Sequence, residues 1–416
     1  MEDAVRESMQ ICMLSRSVLA HGIGGMERHI DVLCRELVKQ GHTVTVITTA
    51  LNAGSKAPGE PGGVQYMFTE GTEPGKYSRA WWSASQKALA GLEPDIVHSQ
   101  SIGAYGVLGD LKKRGLPLVA TSHGTPLSDT ATALKTHGLR ANPVHLLGIM
   151  SKMPHHMKVY GEAKRVIAVS RPIAEHLVNS KLAPNSKIDV ILNGVDTDFF
   201  SPPEPGKTDD EDAGKGQRAE KDGKVERKGE GPFIFSIARV VKDKGFHFLI
   251  EAMPSILKEH EGARLIIGGD GPYLPDLKEL ARKRGVDGAV QFLGRLSEEQ
   301  LRNEYRECDL FALATTFVEG FGLVLAEAMA CGKPAASSRI GGVTEVIKDG
   351  KTGRLFEPGE QKDITRVLLD LLSDPARLKR MGEEARTDSL ARFSAAKSAE
   401  GTSAVYEKVL GQTGSN

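Results

Sequence analysis

The chain has 416 residues, 54 Lys and Arg against 54 Asp and Glu, 40% hydrophobic residues and 5% aromatic ones, an ordinary globular composition. The length predicts two or three domains, each able to bury a core, and excludes a single small module. Zero formal net charge excludes a global field that would advertise nucleic acid as a partner, so any basic surface is local.

Cys12, Cys34, Cys308 and Cys331 lie far apart with no metal-ligand spacing, which argues against a zinc site or a disulfide framework. No uninterrupted apolar run approaches ~18 residues, and the start Met1-Glu2-Asp3 is acidic where a signal peptide is basic. A cytoplasmic protein with reduced thiols is the expectation.

From residue 11 to about 195, short apolar runs alternate with longer helical patterns, as in βα units that build a parallel sheet. The predicted strands are Ile11 to Leu14, Val44 to Thr48, Val64 to Phe68, Ile96 to Ser99, Leu118 to Thr121, Val166 to Val169 and Ile188 to Leu192. Between the first two, Arg28, Asp31 and Arg35 form one helical stripe and Ile30, Leu33, Leu37 and Val38 another, predicting an amphipathic crossover helix. At Ser201 two prolines open a stretch rich in Gly and charge that runs to Gly231; from Glu204 to Glu230 it holds nine acids, seven bases and one branched aliphatic, Val225. Such a segment lacks the apolar surface to offset its ordering entropy, which predicts a charged, disordered hinge insert over 201–231. The βα pattern resumes with Phe233 to Ile237, Leu265 to Ile267, Val290 to Leu293, Leu310 to Leu313 and Pro334 to Ser337. The division expected is an N-terminal Rossmann-like domain over 1–200, the insert, a C-terminal Rossmann-like domain over 232–392, and a helix and tail over 393–416 whose docking place the sequence leaves open.

Ligands of doubly wound sheets sit beyond the carboxyl ends of strands. The first such loop, His21-Gly-Ile-Gly24-Gly25-Met-Glu27, matches a dinucleotide fingerprint poorly. Its paired glycines either let backbone amides approach an anion or serve shape alone. In the second half, Arg239 and Lys244 follow a strand and are suited to clamp two phosphates. Further on, Glu319-Gly-Phe-Gly322-Leu323-Val324-Leu-Ala-Glu327 reads as a loop entering a helix, whose first amides, at Gly322, Leu323 and Val324, suit an anionic or hydroxylated ligand. Asp196-Thr197-Asp198 has a metal-binding spacing, but its place in a turn favours two aspartates that cap local backbone. His123 and His98 each sit at a strand end. From Leu111 to Lys181 eleven Lys and Arg face three acids, an excess of eight. Apolar residues interleave there in Val144 to Met150 and Met153 to Met157, a pattern that suits either a solvated helix face or peripheral contact with an anionic membrane or lipid-linked acceptor.

The Glu319 to Pro334 segment, with its E-x7-E spacing, resembles the retaining glycosyltransferases of family four (group 1), and the resemblance extends along nearly the whole chain. It implies an α/β GT-B fold, two doubly wound Rossmann-like domains facing each other across a cleft. It also implies transfer of a sugar, with retention, from a nucleotide diphosphate-sugar, UDP- or GDP-linked, to a hydroxyl acceptor such as a glycan or lipid-linked glycan of the cell envelope. By the same resemblance Gly24 and Gly25 lie beside the donor phosphates, Arg239 and Lys244 hold the diphosphate, and Gly269 and Gly271 of Gly-Asp-Gly-Pro form a phosphate-proximal turn. Phe292 to Leu296 border the nucleobase, and Gly341, Gly342 and Glu345 match a later element. Glu319 holds sugar hydroxyls, Glu327 the ribose, and His123 contacts the donor sugar. Ala238 and Thr344 depart from the pattern, where glycine and proline are usual. No metal and no cofactor is implied. His98 is read either as structural or as lining the acceptor pocket. Two rivals stay open, a GT-B nucleotide-sugar epimerase and a non-catalytic nucleotide-sugar sensor, with the intact E-x7-E, Arg239 and Lys244 against both.

Overall fold

The computed structural model describes residues 8–22, 24–54, 57, 59–125, 130, 143–203 and 231–413, so most of the expected insert, 204–230, lies outside the described residues. The chain forms two compact units. The first holds Met1–Val195, Glu319–Phe321 and Phe393–Asn416; the second holds Asp196–Val318 and Gly322–Arg392.

The first unit is built on a seven-stranded sheet in the order β3-β2-β1-β4-β5-β6-β7, every pair parallel. Its strands are β1 (Gln10–Leu14), β2 (Thr43–Thr49), β3 (Gln65–Thr69), β4 (Ile96–Gln100), β5 (Leu118–Ser122), β6 (Arg165–Ala168) and β7 (Ile188–Val190). The order reverses between β1 and β4, and the carboxyl ends of that pair form the switch-point crevice of a doubly wound sheet. The central strands β1, β4 and β5 are buried on both faces and read as largely apolar runs, and the sequence located all seven to within a few residues. The polar ends of β4 and β5, His98, Ser99, Gln100, Thr121 and Ser122, are buried as well.

The second unit carries six strands in the order β10-β9-β8-β11-β12-β13, again all parallel. They are β8 (Phe233–Ile237), β9 (Arg264–Gly268), β10 (Val290–Gly294), β11 (Leu310–Leu313), β12 (Ala335–Ser338) and β13 (Gly353–Phe356). Its switch point lies between β8 and β11. Sequence reading missed β13, an edge strand of four residues that opens on glycine. A Cβ at Gly353 would stand 2.0 Å from the Ala335 carbonyl oxygen, so close strand packing demands the residue that weakens the strand signal.

The units differ in their bounds from the expected division over 1–200 and 232–392: the break falls after Val195, and Glu319–Phe321 group with the first unit. The C-terminal helix, whose docking place the sequence leaves open, spans Ala395–Thr413 and belongs to the first unit. Ala399, Val405, Tyr406 and Val409 enter the core that holds Ile30, Leu33, Cys34 and Leu37 of helix Gly25–Lys39. This docking covers the apolar stripe of the crossover helix. Arg28, His29 and Asp31 of the same helix are buried too, and Asp31 pairs with Arg35 at 2.6 Å.

Candidate active site

In the second unit, the loop after β8 is held by its neighbours' backbone. Val240 N–H donates to the Asp270 carbonyl at 2.9 Å, and Tyr273 N–H to the Val240 carbonyl at 3.1 Å. A Cβ at Gly269 would lie 2.0 Å from the Ala238 oxygen, and one at Gly271 would lie 2.3 Å from that of Val240. Gly269 also has φ +107°, a conformation that L side chains rarely adopt. The Gly-Asp-Gly-Pro turn is therefore glycine-rich because it lies directly on the backbone flanking Arg239. The far end of the loop is stitched to the segment after β11. The Asp243 carbonyl accepts from Thr316 N–H at 2.8 Å and Thr315 Oγ1 at 3.1 Å. A Cβ at Gly245 would meet the Ala314 oxygen at 1.8 Å. These bonds set Arg239, exposed, and Lys244, half-buried, on one braced loop. Lys244 Nζ lies 4.6 Å from the centre of the Phe317 ring, a cation–π contact that orients the ammonium.

Gly322 caps helix Leu323–Ala330 with φ 96°. Its carbonyl accepts the first helical bond, from Leu325, so the amides of Leu323 and Val324 have no preceding helical acceptor. Leu323 is buried and Val324 half-buried. Glu327 is only 1% exposed, and its carboxylate accepts from the buried Tyr305 hydroxyl at 3.0 Å. Tyr305, which sequence reading did not single out, is thus the partner that orients this carboxylate.

In the first unit, β5 leads into His123. Its Nε2 lies 2.7 Å from Gln100 Oε1 at the end of β4, an arrangement in which the imidazole donates. Its ring meets that of His29 edge-on at 5.0 Å. Burial, then His29, His98 and Arg16, hold His123 well below the usual histidine range. Burial alone pushes His29 down to about 4. His123 is therefore a neutral imidazole with one nitrogen committed to Gln100. Gly320 packs on the same residue: a Cβ there would stand 2.2 Å from the His123 carbonyl oxygen. The Gly320 carbonyl accepts from Ser170 Oγ at 2.6 Å. The segment carrying Glu319 and the residue His123, distant in sequence, meet in one unit.

Gly24 and Gly25 differ from the glycines of the second unit. Gly24 is the extended cap of helix Gly25–Lys39, with φ −146°, and a Cβ there would meet only the Glu27 carboxylate tip, at 2.4 Å. A Cβ at Gly25 would meet nothing within 4 Å. Space does not require a glycine at Gly25, whereas at Gly24 the Glu27 carboxylate would have to move. Glu27 accepts from the Ser17 hydroxyl, which fixes it within the same loop.

His98 is resolved as structural. It is fully buried, with Nδ1 2.6 Å from the Tyr406 hydroxyl and Nε2 2.7 Å from Thr121 Oγ1. It fastens the C-terminal helix through Tyr406. Asp196 Oδ1 accepts from Phe199 N–H at 3.0 Å, the local capping expected of that turn. Among the described residues no group of three or more His, Cys, Asp or Glu could hold a metal ion.

The structure thus sorts the predicted residues into two sets: His123, Gly24, Gly25 and Glu319 in the first unit, and Arg239, Lys244, Gly269, Gly271, Gly322, Leu323, Val324 and Glu327 in the second. On the basic stretch, Lys135 and Arg140 lie outside the described residues. Arg114 and Arg165 are paired with Glu93 and Asp189. Leu147 and Met157 are 71% and 55% exposed, beside the exposed Lys152 and Lys158. Among the described residues no helix is long and apolar enough to cross a membrane.

Residues 23–199 match the family model described as Glycosyltransferase Family 4, and residues 217–388 the one described as Glycosyl transferases group 1. The chain is 28% identical over 375 residues to the GDP-mannose-dependent alpha-(1-6)-phosphatidylinositol monomannoside mannosyltransferase of Mycolicibacterium smegmatis, covering 87% of this chain and 89% of that one. It is 32% identical over 325 residues to the D-inositol 3-phosphate glycosyltransferase of Nocardia farcinica, covering 76% and 67%. Among solved structures, sucrose-phosphate synthase from Thermosynechococcus elongatus superposes with a TM-score of 0.80 at 18% identity, over 97% of this chain and 100% of that one. Anabaena HepE in complex with UDP and glucose gives 0.73 at 19% identity, over 96% and 100%.

Proposed function

Given that this chain belongs to the group 1, family 4 glycosyltransferases, enzymes of GT-B fold that use nucleotide-sugar donors, we propose that it moves a hexose, mannose or glucose, from a UDP- or GDP-sugar to an acceptor hydroxyl with retention of configuration. Membership makes the protein a glycosyltransferase and sets aside the epimerase and sensor readings. The observation that carries the finer reading is the neutral His123 fixed on Gln100 beside the Glu319–Phe321 segment.

In this reading Arg239 and Lys244 hold the donor diphosphate, with the amides of Leu323 and Val324 and the turn at Gly269 and Gly271 close to it. Glu327 takes the ribose, Glu319 the sugar hydroxyls, and Gly24 and Gly25 give the phosphates room to approach. As the bond from the sugar's anomeric carbon to the phosphate oxygen breaks, cations and helix amides stabilise the charge gathering on the diphosphate. That diphosphate takes the acceptor's proton, and the acceptor oxygen bonds the anomeric carbon on the face the phosphate leaves. No protein nucleophile, metal ion or cofactor takes part. His123, uncharged, donates no charge to the leaving group; it orients the sugar. The acceptor is a glycan or lipid-linked glycan, and the exposed Leu147 and Met157 beside Lys152 and Lys158 suit peripheral contact with an anionic membrane.

A thermal-shift panel with UDP, GDP, ADP and NAD(P), and their sugar conjugates, with magnesium or EDTA, tests this. A ligand at ~100 times its Kd adds about 2.7 kcal/mol of stability. The expected result is a shift with one nucleoside diphosphate that EDTA leaves intact. A shift only with NAD(P), or one abolished by EDTA, overturns the donor or the metal-free assignment respectively. The product's anomeric configuration, read by NMR coupling, tests retention.

A further inference from the structure

One cation of the first unit has no part in the reading above. Arg16 follows β1 directly, at the switch point between β1 and β4, where doubly wound sheets take ligands. Its carbonyl accepts from Thr49 Oγ1 at 2.7 Å, and its guanidinium carbon stands 5.6 Å from the centre of the Tyr77 ring. Backbone and side chain are both held, and the residue is half-buried.

The guanidinium carries five N–H donors, yet among the described residues it makes no hydrogen bond and no ion pair. Glu27, the acid of the adjoining loop, is engaged by Ser17. The histidines of this edge, His29, His98 and His123, are neutral by burial, so none of them adds a positive charge beside Arg16. A short path of contacts ties it to His123. The Tyr77 hydroxyl donates to the Gln100 carbonyl at 2.8 Å, and the Gln100 carboxamide accepts from His123 at 2.7 Å.

We propose that Arg16 is an anion-recognition residue for the acceptor, which carries a phosphate close to the hydroxyl that receives the sugar. The proposal rests on the transferase reading. The donor diphosphate has its own two cations, Arg239 and Lys244, in the other unit, which leaves the fork of Arg16 for a second anion. A planar guanidinium accepts phosphate through two parallel hydrogen bonds, a geometry that lysine lacks.

The experiment compares wild-type full chain with Arg16→Gln and Arg16→Lys, in the presence of saturating UDP or GDP. Binding of glycerol 3-phosphate and inositol 1-phosphate is measured beside neutral glycerol and inositol, by ligand-observed NMR. The expected result is a preference for the phosphorylated polyols that Arg16→Gln lowers on the order of 10- to 100-fold and Arg16→Lys only partly, with nucleotide affinity unchanged in both variants. Flotation with phosphatidylinositol or phosphatidylcholine vesicles separates the sources: Arg16-dependent capture by phosphatidylinositol assigns a lipid headgroup, and its absence a free phosphate. No preference for phosphate in the wild type, or one undiminished in Arg16→Gln, overturns the proposal. A loss of nucleotide affinity in Arg16→Gln also overturns it, because Arg16 then serves the donor. Failure of the wild type to bind any nucleotide sinks the transferase reading instead.

Discussion

The two switch points use the same residue types for different ends. In the second unit, Gly245, Gly269 and Gly271 each replace a Cβ that would collide with a backbone carbonyl oxygen, and the cations ride on the loop that those contacts brace into a cradle. In the first unit, Gly103 and Gly320 are forced in the same way, by the carbonyl oxygens of Leu14 and His123, whereas Gly25 has open space around its missing Cβ. There the close contacts flank His98 and His123, both neutral by burial, rather than a loop that carries two cations. A glycine in a loop therefore says little until its surroundings are known.

The largest expected effect sharpens that contrast through acid. A histidine whose folded pKa is depressed stays neutral in the fold while the unfolded chain takes up a proton. Stability is thus complete above the unfolded value near 6.5 and is lost as pH falls below it. The window extends to about 4 for His29 and about 3 for His98, and further for His123. Well inside it each such group costs about 1.4 kcal/mol per pH unit. His156, pushed down to about 4 mainly by burial, adds to the first unit, whereas in the second unit His247, at about 4, is the only described histidine so shifted. Both tryptophans, Trp81 and Trp82, lie in the first unit, so their emission reports its opening. Between pH 6 and 4 it should change before hydrogen exchange accelerates in β8–β13; the reverse order would refute the contrast.

Next, Gly271→Ala and Gly269→Ala should each destabilise the second unit by on the order of 3 kcal/mol, through overpacking against carbonyl oxygens and, at Gly269, through the left-handed backbone as well. Urea melts would detect this without any substrate, and unchanged midpoints would remove the cradle argument. Arg239→Ala and Lys244→Ala come third: stability should hold, while nucleoside diphosphate affinity should fall by roughly 1.5–3 kcal/mol. Equal nucleotide binding in both variants would show that the cradle does not serve the diphosphate. The smallest effect has the opposite sign. Gly25→Ala should leave the fold intact or stabilise it by up to about 1 kcal/mol, and should slow sugar transfer because the new methyl group occupies the approach to the helix start. A variant both more stable and fully active would mean that Gly25 serves no ligand.

Much of the fold was legible because short apolar runs, bounded by turn residues, alternate with longer helical patterns along the chain. Arg239, Lys244 and Glu319 stood out for a related reason, since each lies in a loop that follows a strand, while Glu327 lies on the helix that the Glu319 loop enters. Other features gave no local signal. His29 stands on a helix face that looks amphipathic in isolation, and it is buried against His123, which comes from the loop after β5. Tyr305 reads as one aromatic residue in a charged helix; its bond to Glu327 depends on how that helix packs.

The amino-acid order by itself determined two parallel α/β units and the loops that carry cations and glycines, because periodicity and spacing are properties of neighbouring residues; it also carried the resemblance to a glycosyltransferase family. Only the tertiary structure decided how each of two histidines near strand ends is held. His98 lies within β4 and His123 follows β5. One is sealed by Tyr406 and Thr121 on its two nitrogens, while the other keeps a single bond, to Gln100. Those partners come from remote parts of the chain, and burial, which sets the charge of both rings, exists only after the sheet and the C-terminal helix have closed around them.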